Sequence, residues 1–172
     1  SGADAMRMSY CLRARRLATL VSFGLTAFAS TLYADDTVEK TPHRLPRVDS
    51  GCKIDAHLDE PFWETALRLE LKYEVRPGEN IPAPVRTEVM LAYNDSHILA
   101  AFTAYDPDPS AIRAHISDRD LMLGDDWVAL VFDTFDDKRR QMDFFVNPLG
   151  VQADDMECPE CTSGNWDAIW DS

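Results

Sequence analysis

Residues 67–75 read LRLELKYEV, and apolar and polar side chains alternate one for one. A period of two suits a strand with one buried face and one wet face. It does not suit a helix, whose faces repeat every 3.6 residues. The pattern recurs along the chain. Residues 86–93 and 97–105 are two further strand-like runs, separated by Asn94, Asp95 and Ser96, side chains that close tight hairpins. Residues 127–132 are almost continuously apolar, which predicts a strand buried on both faces. Residues 142–146 form the next run, and Asn147-Pro148-Leu149-Gly150 turns the chain into Val151 and Gln152. A short strand over 53–55 and a proline-rich loop over 76–84 complete the strand reading.

Helical signals are brief. Pro61 presets φ for a single turn carrying Phe62 and Trp63. Asp106-Pro107-Asp108-Pro109 leads into a short helix predicted over 110–116, with Asp108 or Ser110 as its N-cap. Strands and helices do not alternate, and no internal repeat is present. The pattern predicts an all-β fold, an antiparallel β-sandwich.

The chain has 172 residues, 45% hydrophobic, which is enough for one domain with a real core. Its net charge of −13 argues against nucleic acid, which calls for a basic face, and against anionic lipid. Partners are expected to be neutral or cationic.

The N-terminus reads as a targeting segment. Residues 1–5 before Met6 look like an expression-tag scar. Arg7, Arg13, Arg15 and Arg16 precede an uncharged run over 17–34 that ends Leu32-Tyr33-Ala34. Small residues at that spacing suit signal-peptidase cleavage. As a membrane anchor the run would span about 27 Å, just short of a bilayer core. The expected organisation is a scar and signal over 1–34, a linker or N-terminal arm over 35–51, and the sandwich over 52–172. Loss of 1–34 would leave the mature chain still more acidic. The expected location is the periplasm, outer membrane or extracellular space.

Cys52, Cys158 and Cys161 remain after cleavage. Cys158-Pro159-Glu160-Cys161 lacks the second pair that zinc requires and the βαβ setting of a redox helix. A disulfide within the loop, or one from Cys52 to either of the pair, fits an exported chain.

No catalytic constellation is visible: there is no nucleophile elbow, phosphate loop or zinc-protease helix. His43, His57, His97 and His115 stand alone. A glycosidase needs two carboxylates across a cleft, and sequence shows abundant acids rather than a pair. Asp118, Asp120, Asp125 and Asp126 crowd around Gly124. Asp118, Asp125 and Asp126 are candidate calcium ligands, since hard cations take several oxygens. The competing reading is a solvated acidic rim.

Four ordered blocks carry a resemblance. Residues 54–66 read IDAHLDEPFWETA. Residues 117–120 (SDRD) precede DDWVALVFDTFDD at 125–137. FFVNPLGVQAD spans 144–154, and NWDAIW spans 165–170. Together with the central hairpin they resemble the family-9 carbohydrate-binding modules and their relatives, sandwiches of the carbohydrate-binding-module or DOMON type. The nearest flavour is a module placed ahead of a large outer-membrane-type region. Two features depart from the pattern. Ala56 stands where the family has glycine, and the family continues past the point corresponding to Ser172 with strands that close the sandwich. The expected module is therefore C-terminally incomplete, with an exposed edge open to strand exchange in a homodimer.

The resemblance implies a non-catalytic module that binds a glycan or oligosaccharide, associated with glycoside hydrolases or an outer-membrane partner in carbohydrate catabolism. It often goes with calcium. Sugar binding needs an aromatic face and planar polar groups. Trp166 and Trp170, in a loop-like tail, are the candidate stacking residues; the alternative is packing onto the edge of the sandwich. Trp63 and Trp127 read as buried. Arg119 and Asp120 match the family's Arg-Asp element, and Arg119 would either donate a forked pair of bonds to a sugar or pin its own loop. Asn147 would face the ligand or hold its turn. Two rival functions are a haem-binding electron-transfer sandwich, with Met90, Met122, Met142 or His97 as axial ligands, and a structural module without a ligand.

Overall fold

The computed structural model describes residues 6–12, 42–74, 79–160 and 166–172. The described chain is mostly β. Seven strands run in order: β1 (Met6–Leu12), β2 (Leu67–Glu74), β3 (Ile81–Tyr93), β4 (Ile98–Ala104), β5 (Val128–Phe132), β6 (Gln141–Val146) and β7 (Gln152–Glu157). They form two antiparallel sheets, ordered β1-β4-β3-β2 and β5-β6-β7. Helix is limited to two short 3-10 turns, Pro61–Glu64 and Pro109–Ala111. No described helix is long and apolar enough to cross a membrane.

The β3–β4 hairpin closes as its turn residues predict. Asn94 Oδ1 accepts from the amides of Ser96 and His97, at 3.0 and 2.9 Å. Strand β3 is longer than expected because Pro82 and Pro84 belong to it. They are tolerated because β4 stops at the Thr87–Ala104 pair. Beyond the Tyr105 amide bonded to Arg86 O, the first five residues of β3 have no described partner on the β4 side, and the β2 ladder there is broken by an irregularity between Leu71 and Tyr73.

The first sheet is apolar on both faces. Met90, Ala92, Leu99 and Ala101 pack with Val48, Phe62, Trp63 and Ala66 from the preceding arm, backed by Cys52, Ile54 and Leu58. The arm is anchored by main-chain bonds from Val48 to Tyr93 and from Tyr93 to Pro46, 2.8 and 3.1 Å. Residues 46–48 are thus a docked arm rather than a free linker. Val89, Ala100 and Phe102, with Leu69, Leu71, Leu91 and Ile98, form a second cluster with Val146, Trp170, Val128, Leu130, Phe132 and Phe144 from the second sheet and the C-terminal segment.

The motif at 54–66 has a clear structural use. Glu60 Oε2 accepts from Trp63 Nε1 at 2.9 Å, and its Oε1 accepts from the amide of Lys53, also at 2.9 Å. Trp63 is 2% exposed and its ring tilts against Phe62. Residues 53–55 do not form the expected strand; a bend runs over 54–56 instead. Ala56 has φ +59°, the left-handed region where glycine is at ease.

Two further expectations fail. The run at 112–118 is not helical, because its amides are taken by side chains. The Arg113 amide donates to Asp126 at 3.0 Å and the His115 amide to Asp125 at 2.8 Å, so they cannot serve an i−4 ladder. And β5 is not buried on both faces: Val131 is 56% exposed. Met6–Leu12, inside the segment read as a signal, pairs along its whole length with β4; residues 13–41 lie outside the described residues.

Candidate functional site

Arg119 and Asp120 sit in a tight turn before β5, and both reach β7. Asp120 adopts φ +68°. Its amide donates to Gln152 O at 3.0 Å, and its Oδ1 accepts from the Asp154 amide at 3.2 Å. Arg119 Nη1 donates to Gln152 Oε1 at 3.0 Å. Its Nη2 pairs with Asp154 Oδ2, donates to Ala168 O at 2.7 Å and meets Asp167 at 3.1 Å. Asp154 also accepts from Trp170 Nε1 at 2.9 Å and from the Ala168 amide at 3.2 Å. Gln152 Nε2 reaches Trp170 O and Ser172 Oγ, at 3.1 and 3.0 Å. The network binds the 119–120 turn, β7 and residues 168–172 into one unit. Of the two roles open to Arg119, the fold uses it to pin its own neighbourhood.

Trp170 belongs to the same unit. It is 6% exposed, edge-on to Phe144 with centroids 5.6 Å apart, and its N–H is spent on Asp154. It packs rather than presenting a face. Trp166 is half-buried and meets Phe144 edge-on from another direction, at 5.7 Å.

Asn147 is fully buried and holds its turn. Oδ1 accepts from the amides of Leu149 and Val151, both at 2.9 Å, while Nδ2 donates to His115 O and Asp125 Oδ2 at 3.0 and 2.9 Å. Asp125 also takes His115 Nδ1 at 2.6 Å. These donors, His115 first, hold the Asp125 carboxyl at about 2, below the usual range. Asp126 takes three bonds from Arg113. Asp118 is exposed, and its carbonyl accepts from Leu121 at 3.2 Å. Asp125 and Asp126 thus face protein donors rather than an open oxygen cage. Among the described residues no group of three or more His, Cys, Asp or Glu is placed to hold a metal ion. Cys158 is disulfide-bonded, to a partner outside the described side chains, whereas Cys52 keeps a thiol that donates to Lys53 O at 3.2 Å. The Cys52 bridge is therefore not formed. Met90 lies in the arm-side cluster, and the His97 ring meets Ser96 Oγ at 2.7 Å.

The sequence reading missed the outer face of the second sheet. Phe144, Val146, Val128, Leu130 and Phe132 all point into the shared cluster, so their alternates point outward. Register lays these out in rungs. Ala129, Phe145 and Ala153 form one rung, Val131, Asp143 and Asp155 the next, and Gln141 with Glu157 a third. Trp127, just before β5, meets Phe145 edge-on at 5.1 Å and 90°. Both rings are half-buried. Alanines on either side of Phe145 leave no large neighbour over that ring from β5 or β7. Asp143 is only 4% exposed. Gln141 Nε2 donates to Asp143 Oδ2 at 3.3 Å and to Glu157 Oε2 at 3.2 Å, while Asp143 Oδ1 is buried without a hydrogen-bond partner. Burial, with lesser repulsion from Glu157 and Asp155, pushes the Asp143 carboxyl up. Gln141, Asp155 and Glu157 continue into an open cleft of about 760 Å³, which Asp133, Lys138, Arg139, Arg140, Met156, Cys158 and Pro159 complete.

The arrangement offers aromatic surface at one end and acceptor oxygens at the other, about 7 Å further along the strands at 3.4 Å per residue. The signal for this was present in the sequence: Trp127, Phe145, Asp143 and Gln141 fall on the opposite parity from the core residues. The apolar run at 127–132 hid it. No family model matches this chain, and no curated protein or solved structure matches it.

Proposed function

We propose that this chain is a non-catalytic carbohydrate-binding β-sandwich, and that its sugar face is the outer face of the β5-β6-β7 sheet. The carrying observation is the Trp127–Phe145 ring pair, with alanines flanking Phe145 and the Gln141, Asp143, Asp155 and Glu157 acceptors on the adjacent rungs. A pyranose has an apolar face that lies on an aromatic ring and a rim of hydroxyls that donate to carboxylates and amides. Two clusters, one drawing on both sheets, support the sandwich. The resemblance of the four sequence blocks to family-9 modules supports the same reading, with export to the periplasm or beyond and a glycoside-hydrolase or outer-membrane partner. Trp166, half-buried near Phe144, is the member of the originally expected stacking pair that retains exposed surface.

Isothermal titration of the full chain against soluble oligosaccharides tests this. Saturable heat with one glycan class, lost in Trp127→Ala and Phe145→Ala but kept in Trp166→Ala, is the expected result. Variants that melt cooperatively yet bind as the parent does would move the site off this face. An absence of heat from the folded parent with every glycan would end the proposal.

A further inference from the structure

Asp143, Asp155 and Glu157 put three carboxylates on neighbouring rungs of one sheet face. Across that face the Gln141 amide is shared between Asp143 and Glu157. Neither Asp143 nor Glu157 forms an ion pair with a described cation. Acidic residues crowd many surfaces without purpose. The independent observation is Asp143 itself: it is 96% buried in the wall of this face, and Oδ1 has no donor. A buried carboxylate oxygen without a partner is unfavourable, and here like charges on the next strand add to it. A single group carrying several N–H donors and positive charge offsets both.

We propose that the sugar face recognises an amino sugar, with the ring on Trp127 and Phe145 and its protonated amine on the Asp143, Asp155 and Glu157 side. The inference rests on the carbohydrate-binding reading and narrows it. A primary ammonium has three donors and no acceptor, which matches the carboxylate oxygens of Asp143, Asp155 and Glu157 on this face. A neutral hydroxyl would satisfy an oxygen but leave the charge. A metal ion would need ligands gathered more closely than the described residues gather them. Lys138, Arg139 and Arg140 line the same cleft. All three are exposed to solvent, where charge is heavily screened.

The test compares three soluble oligomers of equal length on the full chain by titration at pH 5.5: fully deacetylated glucosamine, N-acetylglucosamine and glucose. A lysine trimer controls for attraction of any polycation to a chain of net charge −13. The expected result is at least about tenfold tighter binding of the glucosamine oligomer than of the other three. Asp143→Asn and Glu157→Gln should each remove that preference while keeping a cooperative melt. If Asp143→Asn does not fold, Glu157→Gln alone decides. Equal affinity for the three sugars overturns the amine inference and leaves a sugar-binding face. Lysine binding equal to glucosamine, or a preference intact in Glu157→Gln, overturns it as well. No binding by any sugar ends the carbohydrate reading itself.

Discussion

Replacing Asp154 with alanine should unfasten three parts of the molecule at once. Its side chain is 1% exposed and accepts from Arg119, Trp170 Nε1 and the Ala168 amide. Asp154→Ala leaves the indole and amide donors without that acceptor. Arg119 keeps Gln152, Ala168 O and Asp167, so its charge is not stranded. Breaking a buried pair costs about 3–5 kcal/mol. The Arg119 side chain is 33% exposed, so water recovers part of its loss and the low end, about 3 kcal/mol, applies. At about 2–4 °C per kcal/mol for a chain of this size, Tm should fall by about 10 °C. Amide exchange of residues 168–172 should accelerate with it. Calorimetry and exchange mass spectrometry measure both. The double variant Arg119→Met/Asp154→Leu should recover only part of the loss, because an apolar pair replaces the ionic one while the Trp170 and Ala168 donors stay without their acceptor. A Tm within about 3 °C of the parent in Asp154→Ala, or strictly additive single effects, would refute the view that Asp154 organises this region.

Other outcomes follow from the same geometry. The raised Asp143 carboxyl means the folded state holds its proton more tightly than the unfolded chain does. Its contribution is therefore most favourable at and below the ordinary carboxylate range and is lost as pH rises. Asp143→Asn should raise Tm at pH 7, and the gain should shrink toward pH 4 in parallel melts. Asp125 has the opposite sign: held at about 2, it stabilises above the ordinary carboxylate range, and the benefit disappears as pH falls from there through about 2. Acid titration of Asp125→Asn against the parent should show curves that converge there. Ala56→Val places a β-branched residue at φ +59° and should cost about 2 kcal/mol in chemical denaturation. Trp63→Phe keeps most of the volume but removes the donor to Glu60, and should cost about 1–2 kcal/mol by the same measurement.

Much of the strand pattern was legible because β2, β3 and β4 obey a period of two or are bounded by turn residues. Strand β7 was not, since QADDME has no apolar alternation to read. Asp154 points inward there because Arg119 and Trp170 wait for it, a long-range pairing that no local signal announces. The helix predicted at 110–116 failed for the same reason: Asp125 and Asp126 lie ten or more residues away and capture its amides. For the site, the sequence identified Arg119, Asp120, Asn147 and Trp170 as special. It did not reveal that their bonding capacity is turned inward. Polar residues matching a family motif look the same on paper whether they meet a ligand or each other. Trp127 was misjudged by composition, because an apolar run reads as core on both faces until register shows which side is covered.

The first sheet's two apolar faces bear on how the chain can be made. One cover, residues 48–66, precedes β2–β4 in the chain; the other, β5 and β6 with Trp170, comes after it. During synthesis the hairpin can bury Met90, Leu99 and Ala101 under the arm as soon as it emerges. Val89, Ala100 and Phe102 must wait for about 25 further residues to reach β5 and more than 60 to reach Trp170. At about 5–20 residues per second, that is an interval of seconds in which a flat apolar sheet stands half-dressed. A chaperone that engages this nascent chain should find its target on that face, and stalling translation between β4 and β5 should be the surest way to make the protein aggregate.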